Sequence, residues 1–281
     1  MVCLSELHGL WRRTLIAWPD GRADTATEVY WLQGPRRFAD LRIPPGRPEL
    51  GHGTCLRDLD WPMLNFMARQ EGFIGHLEMS GGVAHWHRAF DYQPDNGVAD
   101  RGRLAFDTGI LVEQGIETPY VEHWRRKPET AQDVMALWLA AGSRVGCFIA
   151  AGSAFIYARG RAEPLPRDTT LSRLLDGATT LDEAQGLFDC EVSFGRSGAE
   201  GWRIERSSLP FREGQSLGAE LDDDLESFAI DELTHEGVAI KRSWRVDAWE
   251  STRAGTLRHW FPPASELAQE PEICHEPDGF H

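Results

Sequence analysis

Residues 72–92, GFIGHLEMSGGVAHWHRAFDY, return in altered form at residues 186–211, GLFDCEVSFGRSGAEGWRIERSSLPF. Phe73, Leu77, Met79 and Trp86 have counterparts in Phe188, Val192, Phe194 and Trp202. The match extends outward: residues 30–34 answer 148–152, Phe38 answers Phe155, and residues 122–125 answer 242–245. The pairs keep one order and an offset of about 115–120 residues, too long for a solenoid unit and right for a small domain. A chain with this pattern is expected to be one β-structure made twice.

The first copy reads as a hairpin. Phe73, Gly75, Leu77 and Met79 alternate with Ile74, His76 and Glu78, and Ala84 and Trp86 alternate with Val83, His85 and His87. A two-residue turn at Gly81-Gly82 sets Met79 opposite Ala84, Leu77 opposite Trp86, Glu78 opposite His85 and His76 opposite His87. In the second copy Val192 is expected to face Trp202, and Glu191 to face Arg203 on the outer surface.

Further strands are expected at residues 9–18, 27–33, 36–43, 103–106, 110–114 and 120–126, broken by turn signals such as Pro19-Asp20-Gly21 and Asn96-Gly97. Residues 56–69 form the one helical connection, with Pro62 near its start or between two short pieces. Residues 134–141, 144–151, 154–159 and 238–246 supply strands of the second copy, and 170–187 its helical connection.

The 281 residues carry a net charge of −15, which argues against nucleic acid or an anionic membrane as partner. Five cysteines are scattered with no C-x-x-C, which reads as reduced thiols and a cytoplasmic protein. No apolar signal core opens the chain, and no run approaches the ~18 apolar residues of a membrane span. A homodimer is compatible with this composition.

Eight short strands per copy suit a closed up-and-down barrel, which removes sheet edges and has room for packed side chains or one small ligand. Gly9-Leu10-Trp11 followed by a basic residue resembles the G-x-W opening of the lipocalin/calycin superfamily. The duplicated form resembles uncharacterised fungal and bacterial proteins built of two tandem lipocalin-like barrels, and residues 38–44, FADLRIP, resemble a signature of the bacterial group. The resemblance implies an all-β fold of two fused antiparallel barrels with short helices in the connections. The units would be residues 1–127 and a diverged repeat at 128–260, followed by a Pro- and Glu-rich tail, 261–281, on the surface or disordered. The resemblance carries over no catalytic residue.

Trp11 shares a strand face with Arg13, Trp31 with Gln33, Trp86 with Arg88, and Trp124 with Glu122. If the tryptophans point into the first barrel, those four polar residues do too, and a charge inside a barrel must be paired or touch a ligand. The two readings are an internal Arg–Glu network that fixes the barrel and a ligand pocket. Asp40 and Arg42 alternate with Leu41 and Ile43 and are expected outward or at a rim.

His76, Glu78, His85 and His87 share the other face of the hairpin. Such a set could bind a divalent metal. It equally suits ordinary outer-face polar pairing, or a contact covered by the second copy. His52 and Cys55 lie close in a glycine loop, which is weak ground for nucleophilic catalysis, and residues 222–224 lack the spacing of a calcium loop. No motif calls for a cofactor.

The expectation for function is a small apolar or aromatic molecule in the first barrel, with an anionic or polar end and Arg13 or Arg88 as counter-charge. One alternative is a lyase- or isomerase-type enzyme using a buried Glu122–Arg pair. Another is a structural or interaction module without ligand. A haem-binding barrel would need an inward histidine, which the alternation does not provide.

Overall fold

The structure is a computed structural model and describes residues 1–199, 201–253, 257 and 259–261. Its first sheet is built from β1 (Gly9–Ala17), β2 (Ala23–Asp24), β3 (Glu28–Gln33), β4 (Arg37–Ile43), β5 (Glu71–Ser80), β6 (Val83–Asp91), β7 (Asp100–Asp107), β8 (Ile110–Gly115) and β9 (Val121–Arg126). Neighbours are antiparallel, and β9 pairs back onto β1, so eight strands close a barrel with β2 as a short appendage of β1. The central hairpin has the expected register: Met79 opposite Ala84, Leu77 opposite Trp86, Glu78 opposite His85 and His76 opposite His87. Gly81 and Gly82 both take positive φ, which a tight turn between twisted strands demands.

The second sheet comprises β10 (Val134–Ala141), β11 (Arg144–Ala151), β12 (Ala154–Arg159), β13 (Glu191–Gly198), β14 (Gly201–Ser207), β15 (Glu220–Leu221), β16 (Ser227–Leu233) and β17 (Ala239–Ser251). Its order is β14-β13-β12-β11-β10-β17-β16-β15. The expected second closed barrel is instead a curled half-barrel, because β15 is only two residues long and does not pair with β14. Irregular backbone bridges the gap: Leu217 N donates to Trp202 O at 2.7 Å, and Asp231 N donates to Leu217 O at 3.0 Å.

The second hairpin differs from expectation in register. Trp202 lies opposite Ser197, not Val192, and Arg203 lies opposite Arg196. Glu191 is buried and pairs with Arg212 at 3.1 Å. The tight turn sets this register: Gly198 lies opposite Gly201, so Trp202 falls five residues beyond Val192 along the partner strand. A one-residue bulge lies farther from the turn. The ladder shifts at Phe194/Gly195, as it does at Ile74/Gly75 in the first sheet. A Cβ on Gly75 would meet His87 O at 1.8 Å, and one on Gly195 would meet Arg203 O at 2.0 Å. Both bulges therefore require glycine.

The helical connections are short and capped. Asp60 accepts from Met63 N at the start of α1 (Trp61–Met67), with Pro62 in its first turn. The second connection splits into α2 (Leu171–Gly177) and α3 (Leu181–Gly186), capped by Thr170 and Thr180.

Three apolar clusters hold the molecule. One fills the closed end of the barrel: Trp11, Trp31, Phe38, Leu77 and Trp124, plugged by Val2 and Leu7 from the leading segment. A second fills the concavity of the half-barrel with Phe148, Phe155, Trp202, Phe228 and Trp244. Leu257, Trp260 and Phe261 belong to that cluster, so the start of the expected tail is packed; residues 262–281 lie outside the described residues. The third cluster lies between the sheets: Leu32, Ala39 and Leu41 meet Ile149, Ile156, Val192 and Phe194, and Tyr30 stacks on Phe194 at 4.2 Å. β3 and β4 are thus buried on both faces.

Candidate functional site

On β8 and β9, burial alternates: Leu111 and Glu113 point inward on one strand, Glu122 and Trp124 on the other. The register sets Leu111 opposite Trp124 and Glu113 opposite Glu122. Across the barrel, Asp40 on β4 lies opposite Trp31 on β3 and points the same way. Asp40, Glu113 and Glu122 are each at most 4% exposed. All three line a cavity of ≈ 1050 Å³ whose apolar walls include Trp31, Phe38, Phe73, Trp86 and Trp124.

The carboxylates are partnered unequally. Glu122 Oε1 accepts from Arg13 Nη1 at 2.7 Å, and Arg42 Nη1 lies 3.8 Å away. Asp40 Oδ1 accepts from Arg42 Nε at 2.8 Å. Glu113 has no cation within ion-pairing distance among the described residues; it accepts from Tyr120 Oη at 2.7 Å and Trp124 Nε1 at 3.1 Å. Burial pushes Glu113 well above the usual carboxylate range, and the facing Glu122 pushes it further. Burial also raises Glu122 and Asp40, outweighing the arginines beside them. The deep lumen therefore sets a carboxyl group without a cation beside one paired to arginine, and burial favours the protonated form of both.

At the open side, Arg88 lies 3.7 Å over the Phe73 ring and binds Asp91 and Asp100, the latter at 2.6 Å. The β6–β7 ladder ends at Trp86–Asp100, and beyond it the strands part. Arg161 and Leu165 from the second unit border the cavity there.

The expected lumen residues divide into two groups. Trp31, Trp86, Arg88, Glu122 and Trp124 line the cavity. Trp11, Arg13 and Gln33 are buried around it but do not line it. Trp11 stacks on Trp31 at 5.8 Å and donates to Leu7 O at 2.7 Å, sealing the closed end. Arg13 stands behind Glu122, also reaching Asp24. Gln33 binds the backbone of its own turn, Gly34 O and Arg37 O.

The expectation that Asp40 and Arg42 lie outward or at a rim fails for Asp40, which is buried in the lumen; Arg42 is half-buried at the cavity and reaches from Asp40 to the exposed Glu71. Their apolar neighbours Ala39, Leu41 and Ile43 are the outward residues, buried under the second sheet. Glu113 and Tyr120 are residues that the sequence reading missed.

The hairpin histidines stand on the outer face. His76 stacks on His87 at 4.5 Å, His85 lies 3.7 Å from His87, and His87 meets Glu78 at 3.2 Å. They form a row of rings, not a shell: among the described residues no group of three or more His, Cys, Asp or Glu is placed to hold a metal ion. His8 is the one histidine near the plugged end and is held by Pro35 O at 3.4 Å.

No protein-family model matches the sequence, and no curated protein matches it. Among solved structures, the chain is similar to an uncharacterised protein from Saccharomyces cerevisiae at 11% identity and a TM-score of 0.48, covering 86% of this chain and 98% of that one. It also aligns with the DNA polymerase III beta subunit of Thermotoga maritima at 8% identity and a TM-score of 0.14, covering 87% and 77%. Scores this low bring no function to the chain.

Proposed function

We propose that the protein binds a small apolar or aromatic molecule in the lumen of its eight-stranded barrel. The observation that carries this is the ≈ 1050 Å³ cavity: its mouth is lined by charged side chains, and its deep part by Trp31, Phe38, Phe73, Trp86 and Trp124 around Asp40, Glu113 and Glu122. Ligand pockets characteristically have this composition, and drug-sized ones run to roughly 300–1,000 Å³. The half-barrel concavity offers a contrast, being filled by its own aromatic rings. Native mass spectrometry of the purified protein, set against its denatured mass, tests the reading directly. A reproducible organic excess mass that disappears in Trp86→Asp supports it. Failure of 1-aminoanthracene, a neutral fluorescent probe, to bind saturably to ligand-stripped protein would overturn it.

A second reading is favoured by one observation, Glu113, its pKa raised by burial, standing opposite the arginine-paired Glu122 on the neighbouring strand. Two carboxyl groups driven to different protonation states are the ordinary equipment of general acid/base chemistry. Turnover lost in Glu113→Gln with ligand binding retained would select the enzyme.

We also read the two sheets as diverged copies within the lipocalin/calycin-like group. Support comes from strand order: β10 to β14 follow one another as β1 and β3 to β6 do, and β17 closes on β10 as β9 closes on β1. The bulge glycines Gly75 and Gly195 at the same hairpin position add to it. No helix among the described residues is long and apolar enough to cross a membrane. Cys3, Cys55, Cys147 and Cys190 are free thiols, which suits the cytoplasm we propose.

A further inference from the structure

We propose that the lumen takes an organic cation: an amine on a flat apolar body, its ammonium seated among Asp40, Glu113 and Glu122 and its body among Trp31, Trp86 and Trp124. This deepens the binding reading above and rests on it.

The first ground is charge. The deep lumen holds three carboxyl groups against two guanidiniums, Arg13 and Arg42, and both guanidiniums already make ion pairs. Along the whole cavity nine carboxyl groups face five arginines. Arg88, Arg101 and Arg167 are engaged by Asp100, Glu117 and Asp95. An anion entering the deep lumen would displace an existing carboxylate from Arg13 or Arg42; only at the mouth does an arginine, Arg161, make no ion pair among the described residues. A cation would complete the deep site, because of Asp40, Glu113 and Glu122 only Glu113 has no ion-pair partner among the described residues. The Arg13 and Arg88 counter-charges expected from the sequence are thus already satisfied within the protein.

The second ground is independent. Trp31 is 2% exposed, lines the cavity, and its Nε1–H has no hydrogen-bond partner among the described residues. A buried N–H without an acceptor costs stability; the ammonium cannot accept, so the acceptor must be an oxygen carried on the ligand's body. Farther out, Arg161 donates to Leu187 O while its Nη2 has no partner, so an oxygen on the ligand's outer end is also accommodated. The third ground is the wall. Trp86 and Trp124 meet Trp31 edge-on at 5.9 and 5.3 Å, forming an aromatic corner beside the carboxyl groups. Indole faces attract ammonium groups.

Glu113 then has a defined part. Burial and the facing Glu122 raise its pKa, and an ammonium beside it favours its ionised form, so amine binding pulls that pKa down and drives proton release.

The test uses three probes of one shape on the full chain: 4-methoxyphenethylammonium, 2-(4-methoxyphenyl)ethanol and 3-(4-methoxyphenyl)propionate, titrated calorimetrically at pH 7 in two buffers of different ionisation enthalpy. The expected result is that the amine binds at least about tenfold tighter than the alcohol, the carboxylate binds weakest, and the amine alone shows buffer-dependent heat from about one released proton. In Glu113→Gln the amine should lose about tenfold or more and the alcohol should be unchanged. Binding of the alcohol or the carboxylate as tight as the amine overturns the cation assignment and leaves the binding reading standing. Absence of saturable binding by all three, with 1-aminoanthracene still bound, overturns the cation assignment alone; absence of all four overturns both.

Discussion

Glu113 and Glu122 stand directly opposite each other on neighbouring strands, yet only Glu122 is held by an arginine. Glu113 instead accepts from an indole and a phenol. One pair of facing carboxyl groups therefore contains one group paired to a cation and one offered only neutral donors, with burial and the facing Glu122 raising the second well above the usual range.

That asymmetry sets a pH dependence. A carboxyl group whose folded pKa lies above its ordinary value, 4.5 for glutamate, binds its proton more tightly in the folded state. Its contribution is fully present below that ordinary value and is lost as pH rises through the raised one. Stability should therefore fall between pH 5 and pH 8, at up to about 1.4 kcal/mol per pH unit for each proton retained. Thermal melts of the protein and of Glu113→Gln across this window check it. The variant should show the shallower slope; parallel slopes would mean that Glu113 ionises normally.

Arg13 is the cation that keeps Glu122 charged. Arg13→Met leaves Glu122 buried with only the more distant Arg42 and also strips Asp24. Breaking one side of a buried pair costs about 3–5 kcal/mol. Urea unfolding should show that loss, and it should shrink as the pH is lowered and Glu122 takes up a proton.

The bulge glycines make a paired prediction. Gly75→Ala and Gly195→Ala each drive a methyl group into a backbone carbonyl, so each should destabilise the fold by more than about 3 kcal/mol. Gly177→Ala has open space around it and should be tolerated. Urea midpoints of the three variants decide the matter; tolerance of alanine at Gly75 would show that the bulge can be ironed out.

Trp260 closes the half-barrel by stacking on Trp202 at 6.3 Å, with Phe261 beside it. Trp260→Ala should cost about 3–5 kcal/mol and open the concavity to 8-anilinonaphthalene-1-sulfonate. An unchanged melt with no dye binding would mean that these residues merely rest on the sheet.

The hairpin register was legible because Gly81-Gly82 is a two-residue turn, and such a turn leaves no freedom in pairing. The second hairpin was misaligned because equating Leu77 with Val192 takes an offset of 115, whereas the ladders equate Gly75 with Gly195, an offset of 120. Trp31, Trp86 and Trp124 were found because large aromatic residues on alternating strands must be buried somewhere. Asp40 and Arg42 were lost to the rule that apolar means inward. On a strand covered on both faces that rule has no content, and here the more apolar face is the outer one. Glu113 could have been found by alternation with Leu111. The irregular segment between β8 and β9, however, gives no turn from which to count its register against Glu122.

The second sheet does more than cover β3 and β4. It clamps one wall of the barrel from outside, where Tyr30, Leu32 and Leu41 are interdigitated with Ile149, Ile156 and Phe194. The segment after β12 also reaches the mouth: the β6–β7 ladder stops at Trp86–Asp100, and beyond it Asp168 N donates to Asp95 O at 3.1 Å while Arg161 lies over the Phe90 and Tyr92 rings. The second half of the chain therefore borders both the back wall of the barrel and the rim of its cavity, so a change in how the two sheets pack would be felt at the entrance as well as behind β3 and β4.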